Sequence, residues 1–199
     1  MPRVAAVAAG AAMPDLCLAA AGGAHLWAGL ARAPVVNRVE AALAYAFPVD
    51  SLVQALKYRH HLAVAHCLGE LLAGVLEDAR RPDLVVPVPL GAQRLAERGF
   101  NQSLEIARVT ARRLDLRLVA EGCRRVRDTP PQASLAFAER ARNVRRAFVC
   151  DAEVRGMRVA LVDDVLTTGA SLNECARTLR KAGAAEVIGW VAARTLLEA

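Results

Sequence analysis

The chain has 199 residues, 55% of them apolar, 4% aromatic and 23% charged, with a net charge of +6. This is enough for one domain with a sizeable core and a small appendage, and no uninterrupted apolar run is long enough to insert in a membrane. The five cysteines, Cys17, Cys67, Cys123, Cys150 and Cys175, are odd in number, widely spread and free of any C-x-x-C pair, which argues against a disulfide framework or a sequence-evident zinc site and for a reducing, cytoplasmic setting.

Residues 1–35 are rich in Ala and Gly, lack a strong period and read as an appendage. Their first dozen residues resemble a signal peptide only faintly, because Ala is a poor apolar core residue. Val39–Phe47 is strand-like and ends at Pro48. Asp50 is placed to cap a helix running to about Tyr58, and a second helix covers Leu62 to about Asp78. Arg81-Pro82-Asp83 breaks that helix; Leu84-Val85-Val86 is a short buried strand, ended by Pro87-Val88-Pro89. Asn101 or Gln102 opens a helix with Leu104, Ala107, Ala111 and Leu114 on one face, and Leu116–Ala120 is strand-like. Residues 121–147, rich in arginine and with two adjacent prolines, read as a long mobile loop, a kind of segment that is often functional.

The last third is the clearest. Arg158–Val165 reads as a buried strand. Ala170–Ala182 reads as a helix with Leu172, Cys175, Ala176 and Leu179 on one face, Gly183 suits the position after it, and Glu186–Ala193 is the next strand. Strand, helix, strand implies a right-handed crossover and a parallel sheet of α/β class. His60, His61 and His66 lie near Cys67, but His60 and His61 would face different ways on a helix, so packing or solvent roles are preferred to metal binding. Trp27 and Trp190 read as packing residues.

The chemistry concentrates in Val159-Ala-Leu-Val-Asp-Asp-Val-Leu-Thr-Thr-Gly-Ala-Ser171. A buried strand ends in Asp163 and Asp164, at the carboxyl end where open α/β sheets bind ligands. Two carboxylates about 4 Å apart repel by roughly 4 kcal/mol at an effective dielectric near 20, so ribose hydroxyls or Mg²⁺ would relieve them. Thr167, Thr168, Gly169, Ala170 and Ser171 offer the opposite polarity: hydroxyls, a glycine turn and the unpartnered N–H groups of a helix start, a place for a phosphate monoester. A capped helix after a buried strand would not require all these residue types together. A Walker-B reading needs a G-x-x-x-x-G-K-[ST] loop, which the chain lacks.

This segment resembles the signature of type I phosphoribosyltransferases, which bind phosphoribosyl pyrophosphate (PRPP). Leu56-Lys-Tyr-Arg59, Val86-Pro-Val-Pro-Leu90 with Arg94 and Arg98-Gly-Phe-Asn-Gln102, and Pro131-Gln132 followed by Arg140 and Asn143 narrow the resemblance to the competence-associated ComF/GntX family, from about residue 39 onward. The resemblance implies a phosphoribosyltransferase-like domain over residues 36–199, a parallel sheet flanked by helices. It implies that Asp163 and Asp164 serve the ribose hydroxyls, directly or through Mg²⁺, and that Thr167 to Ser171 cradle the 5′-phosphate. Pro87, Val88, Pro89 and Leu90 would face pyrophosphate, with Lys57, Arg94 and Arg98 neutralising it, and Arg124, Arg125 and Arg127 would belong to a lid. The implied reaction displaces pyrophosphate from C1 of PRPP in favour of an acceptor that no readable motif names.

Relatives in that family often carry an N-terminal zinc ribbon. Here Met13-Pro-Asp-Leu-Cys17 keeps one cysteine and lacks the others, so no zinc is expected. A homodimer is common in the superfamily. The arginines from Arg124 to Arg146 leave three readings open: a solvated loop, a PRPP lid, or a single-stranded DNA track. For the last, the stretch has only Phe137 and Phe148 for stacking.

Overall fold

The carboxyl ends of four parallel strands converge on the segment that the sequence marks. The computed structural model describes residues 35–127 and 144–195; the appendage, the single Cys17 and most of the arginine-rich stretch lie outside them. In chain order the elements are β1 (Arg38–Ala44), α1 (Val49–Arg59), α2 (Leu62–Leu76), β2 (Leu84–Pro87), α3 (Ala92–Arg98), α4 (Gln102–Arg113), β3 (Cys123–Arg125), β4 (Phe148–Cys150), β5 (Arg158–Leu166), α5 (Ala170–Lys181) and β6 (Glu186–Arg194). The main sheet has the order β1-β6-β5-β2 with every pairing parallel, and β3 pairs antiparallel with β4 in a separate ribbon.

A parallel sheet covered on both faces needs strands that are apolar on both sides, and β5 and β6 supply them. One face carries Ala160, Val162, Ile188 and Trp190 against Val53 and Leu56 of α1, Leu68 and Leu72 of α2, and Ile106 and Ala107 of α4. The other carries Val159, Leu161, Val187 and Val191 against Leu172, Cys175, Ala176 and Leu179 of α5 and against the β3–β4 ribbon. Trp190 is fully buried, a packing residue as its sequence context suggests. Helices α2 and α4 approach so closely at Gly69 that an added Cβ would lie 2.6 Å from Val109 Cβ, and Thr110 Oγ1 donates to the Gly69 carbonyl at 3.1 Å across the same contact.

Several sequence expectations are corrected. Asp50 does not cap α1: Pro48 holds that position, and the Asp50 carboxylate accepts only from the adjacent Ser51 N–H, at 2.6 Å. Pro87 does not end β2 before itself but pairs in register with Val162, at the sheet edge where its missing N–H is not needed. Leu116–Ala120 is not a strand; it makes one parallel bridge, Val85 to Leu118, before the chain turns towards β3. The α4 face is shifted, since Leu104 is half-buried whereas Gln102, Ser103 and Thr110 are buried. The stretch 121–147 is expected from the sequence to be a loop, but within it Cys123–Arg125 forms β3, which pairs with β4 immediately after the stretch. Helix α3 has no counterpart in the sequence reading.

Candidate functional site

Beyond β5 and β2 the chain opens into a cleft of about 650 Å³. Its floor is the end of β5. Asp163 Oδ1 accepts from Ser103 Oγ at 2.9 Å and from the backbone N–H of Asp164 at 3.0 Å. Asp164 leans towards α1, where Lys57 Nζ lies 2.5 Å from its Oδ2 in a largely buried ion pair. The two carboxylates are thus separated by being given different partners, one from α4 and one from α1.

The electrostatics follow from this burial. Desolvation pushes the Asp163 carboxyl up to about 8, with the neighbouring Asp164 charge adding to the rise; the Ser103 hydroxyl, the Asp164 N–H and Lys57 offset part of it. For Lys57, burial acts to lower the ammonium, but Asp164, through charge and hydrogen bond, and then Asp163 outweigh it, so Lys57 sits above its ordinary value. This balance favours the protonated form of Asp163 and keeps the Lys57 ammonium paired with Asp164.

Next to this floor lies the turn into α5. Gly169 takes a left-handed conformation, φ 69° and ψ 7°, directly before the helix, which glycine adopts without the clash a Cβ would bring. Thr168 is buried and its Oγ1 accepts from the Ala170 N–H at 3.3 Å. Thr167 is exposed at the cleft wall. The first turn of a helix presents N–H groups without intrahelical partners and the positive end of its dipole, so this wall suits an anion.

The opposite wall comes from α3 and the start of α4. Gly99, at φ 71°, ends α3, and Arg94 and Arg98, one turn apart, both line the cleft. Arg98 donates to Gln102 Oε1 at 3.1 Å and lies over the Tyr58 ring at 5.3 Å. The Asn101 side chain accepts from the Ser103 N–H at 3.0 Å and donates to the Val88 carbonyl at 3.0 Å. One residue therefore starts α4, aims Ser103 at Asp163 and pins the loop after β2.

Of the residues the sequence singles out, Lys57, Val88, Pro89, Leu90, Arg94, Arg98, Arg125, Asp163, Asp164 and the whole run Thr167–Ser171 line this one cleft. Three do not. Pro87 is buried in the sheet, Arg124 is paired with Asp151 at 2.5 Å, and Arg127 donates to the Arg145 carbonyl at 3.5 Å. Sequence reasoning missed Ser103 and the rim residues Tyr45, Tyr58 and His60 as site groups. Ser103 follows directly on the Arg98–Gln102 motif and Tyr58 lies within Leu56-Lys-Tyr-Arg59, and these were the available signals; Tyr45 and His60 carried none.

A divalent cation can be tested against this donor set. Among the described residues no group of three or more His, Cys, Asp or Glu side chains could hold a metal ion, so these residues form no all-protein cage. The carboxylate oxygens of Asp163 and Asp164 are hard ligands, and Mg²⁺ is ordinarily held by one or two carboxylates together with waters and substrate phosphates. The site therefore fits an Mg²⁺ that arrives with a phosphorylated ligand. Among the described residues no helix is long and apolar enough to cross a membrane.

Comparison with known proteins agrees with the sequence resemblance. The family model described as phosphoribosyl transferase domain matches residues 55–195. DNA utilization protein YhgH of Escherichia coli K12 is 36% identical over 180 residues, covering 86% of this chain and 79% of that protein. Competence protein F of Haemophilus influenzae is 36% identical over 159 residues, covering 75% and 69%. Among solved structures, the glutamine PRPP amidotransferase of Bacillus subtilis complexed with ADP and GMP superposes with a TM-score of 0.46 at 25% identity, over 64% of this chain and 26% of that one.

Proposed function

The chain belongs to the phosphoribosyl transferase domain family, and from that premise we propose that it is a cytoplasmic protein that binds PRPP and displaces its pyrophosphate in favour of an acceptor. The observation that carries this reading is a single cleft with acids on its floor, a helix start on one wall and arginines on the other. Each part matches one part of the ligand: ribose hydroxyls for Asp163 and Asp164, the 5′-phosphate for the Thr167–Ser171 turn, and pyrophosphate for Arg94, Arg98 and the Val88–Leu90 loop.

The residues would act in a definite order. Ribose hydroxyls compete with Ser103 and Lys57 for the two carboxylates, and Asp163 gives up its proton as it accepts a hydroxyl. Lys57, released from Asp164, is left beside the same cleft with its charge available to the pyrophosphate. Departure of pyrophosphate leaves oxocarbenium character at C1, which the carboxylates below favour, while the arginine wall favours the negative charge that builds on the leaving group. Mg²⁺, held by the carboxylates and the ligand's own phosphates, would supply further neutralisation of that leaving group.

Calorimetry with PRPP and Mg²⁺ tests the binding half: the wild type should bind, and the Asp163→Asn/Asp164→Asn double variant should not. Pyrophosphate release from PRPP across a panel of bases and amines tests turnover; silence with every acceptor, despite binding, would reduce the proposal to a binding protein.

A second reading is favoured by the relatives named DNA utilization protein and competence protein. On it the sugar-phosphate cleft serves regulation, and Arg124, Arg125 and Arg127 contact single-stranded DNA. Replacing all three by Ala should weaken a gel shift at low salt, where phosphate contacts are strongest; the absence of any shift by the wild type there removes this reading.

A further inference from the structure

Cys123, Cys150 and Cys175 are far apart in sequence but meet in the core layer on the α5 side of the sheet, one from each of β3, β4 and α5. Cys123 and Cys150 stand directly opposite each other in the antiparallel ribbon. The ladder shows which kind of pair they form. Asp151 N–H donates to the Gly122 carbonyl at 3.1 Å and Val126 N–H to the Ala147 carbonyl at 2.8 Å, which makes 122/151 and 126/147 the hydrogen-bonded positions. By alternation Cys123/Cys150 is a non-hydrogen-bonded pair, where opposed Cα atoms are about 4.5 Å apart, inside the roughly 4.4–6.8 Å range of disulfides.

The Cys123 thiol interacts with those of Cys175 and Cys150, and its hydrogen bond with Cys175 contributes most to holding it below its ordinary value. Cys150 is partly exposed, and its Sγ donates to the Ala152 carbonyl at 3.6 Å.

We propose that Cys123 and Cys150 are a modification site: an oxidisable pair that closes into a cross-strand disulfide when the chain meets a low-molecular-weight disulfide. The partly exposed Cys150 thiolate attacks the small disulfide, forming a mixed disulfide and releasing one small thiol. The Cys123 thiolate then displaces the second. Two protein thiols are oxidised, one small disulfide is reduced to two thiols, and the two protein protons end on them. The bond clasps the ribbon two residues from Arg125, which lines the cleft and lies over Phe148 at 5.6 Å, so oxidation fixes one wall of the binding site. In a reducing compartment the clasp stays open and closes under oxidative conditions.

The test uses the full chain with Cys17→Ser and Cys67→Ser, which leaves three thiols. Incubation with oxidised glutathione, followed by denaturation, should lower the thiol count from three to one in a species of monomer mass. Tryptic mapping should link the Cys123 peptide to the Cys150 peptide, and dithiothreitol should restore all three. A count that stays at three, or a link through Cys175, overturns the proposal. With Cys150→Ser added, the two remaining thiols should persist; their loss would mean that Cys175 is the true partner. The oxidised form should unfold at a higher midpoint and return to the original with reductant. A lower midpoint would mean that the bond forms only by distorting the ribbon, and the proposal would fall.

Discussion

The end of β5 and the β3–β4 ribbon both carry dense charge, but they hold it differently. At β5 the charges are buried or half-buried and answered from afar: Ser103, sixty positions away in sequence, donates to Asp163, and Lys57 reaches the buried Asp164 from another helix. On the ribbon, Arg124 is answered locally and in solvent by Asp151, and Arg127 by a nearby carbonyl. Buried charges keep their geometry because moving them leaves an uncompensated ion, whereas exposed pairs contribute little and rearrange freely. The first region holds its polar groups in one arrangement. The second has only Arg125 directed at the cleft.

The sharpest way to break this contrast is to neutralise the floor. Asp163→Asn with Asp164→Asn should cut PRPP affinity in the presence of Mg²⁺ by roughly a hundredfold or more, since each hydrogen bond to a charged group is worth about 1.5–3 kcal/mol. Calorimetry reads this directly, and a loss below tenfold would mean that the acids are structural. Gly169→Ala comes next. A Cβ at φ 69° costs about 1–2 kcal/mol, so the urea midpoint should fall and PRPP affinity should drop about tenfold as the turn shifts. Unchanged affinity would detach the turn from phosphate binding.

The raised Asp163 carboxyl sharpens the comparison through pH. Its folded value, about 8, lies above the unfolded value near 3.9, so between these limits the native state binds more protons than the unfolded one. Stability from this group is fully present below about pH 4 and is lost as pH rises towards 8. Asp163→Asn should flatten that part of the stability-versus-pH curve measured by chemical denaturation. Ligand binding has the opposite sign: PRPP needs the carboxylate, so affinity should rise from pH 6 to 8 with release of a proton. Calorimetry in buffers of different ionisation enthalpy would detect the release, and a pH-independent affinity would contradict it.

The same contrast explains what the sequence disclosed. β5, α5 and β6 were legible because an apolar run, a helical face and a glycine stop all lie within one short stretch. The acid–hydroxyl–glycine cluster was legible because its members are neighbours. Helix α3 was missed because none of its seven residues is buried, so it has no apolar stripe to reveal it. The α4 face was misplaced because Ser103 and Thr110 are buried by hydrogen bonds to Asp163 and Gly69, partners that only the fold brings near. The thiol cluster was invisible for the same reason: its members come from three elements, and no spacing rule joins them.

The smallest expected effect tests the ribbon itself. Arg124→Ala should leave PRPP affinity within twofold of wild type, because its guanidinium is turned to Asp151 outside the cleft. Arg125→Ala removes a cation from the cleft wall and should weaken PRPP binding about fivefold, the effect of about 1 kcal/mol. A difference between these neighbours is expected from strand geometry, since adjacent side chains on a strand point to opposite faces. For single-stranded DNA the comparison runs the other way. A polyanion tracking the ribbon's outer surface would be weakened at least as much by Arg124→Ala as by Arg125→Ala in a low-salt gel shift. If Arg124→Ala weakens DNA binding and spares PRPP, the two ligands use opposite faces of one ribbon; if Arg125→Ala weakens both and Arg124→Ala neither, they compete for a single cleft.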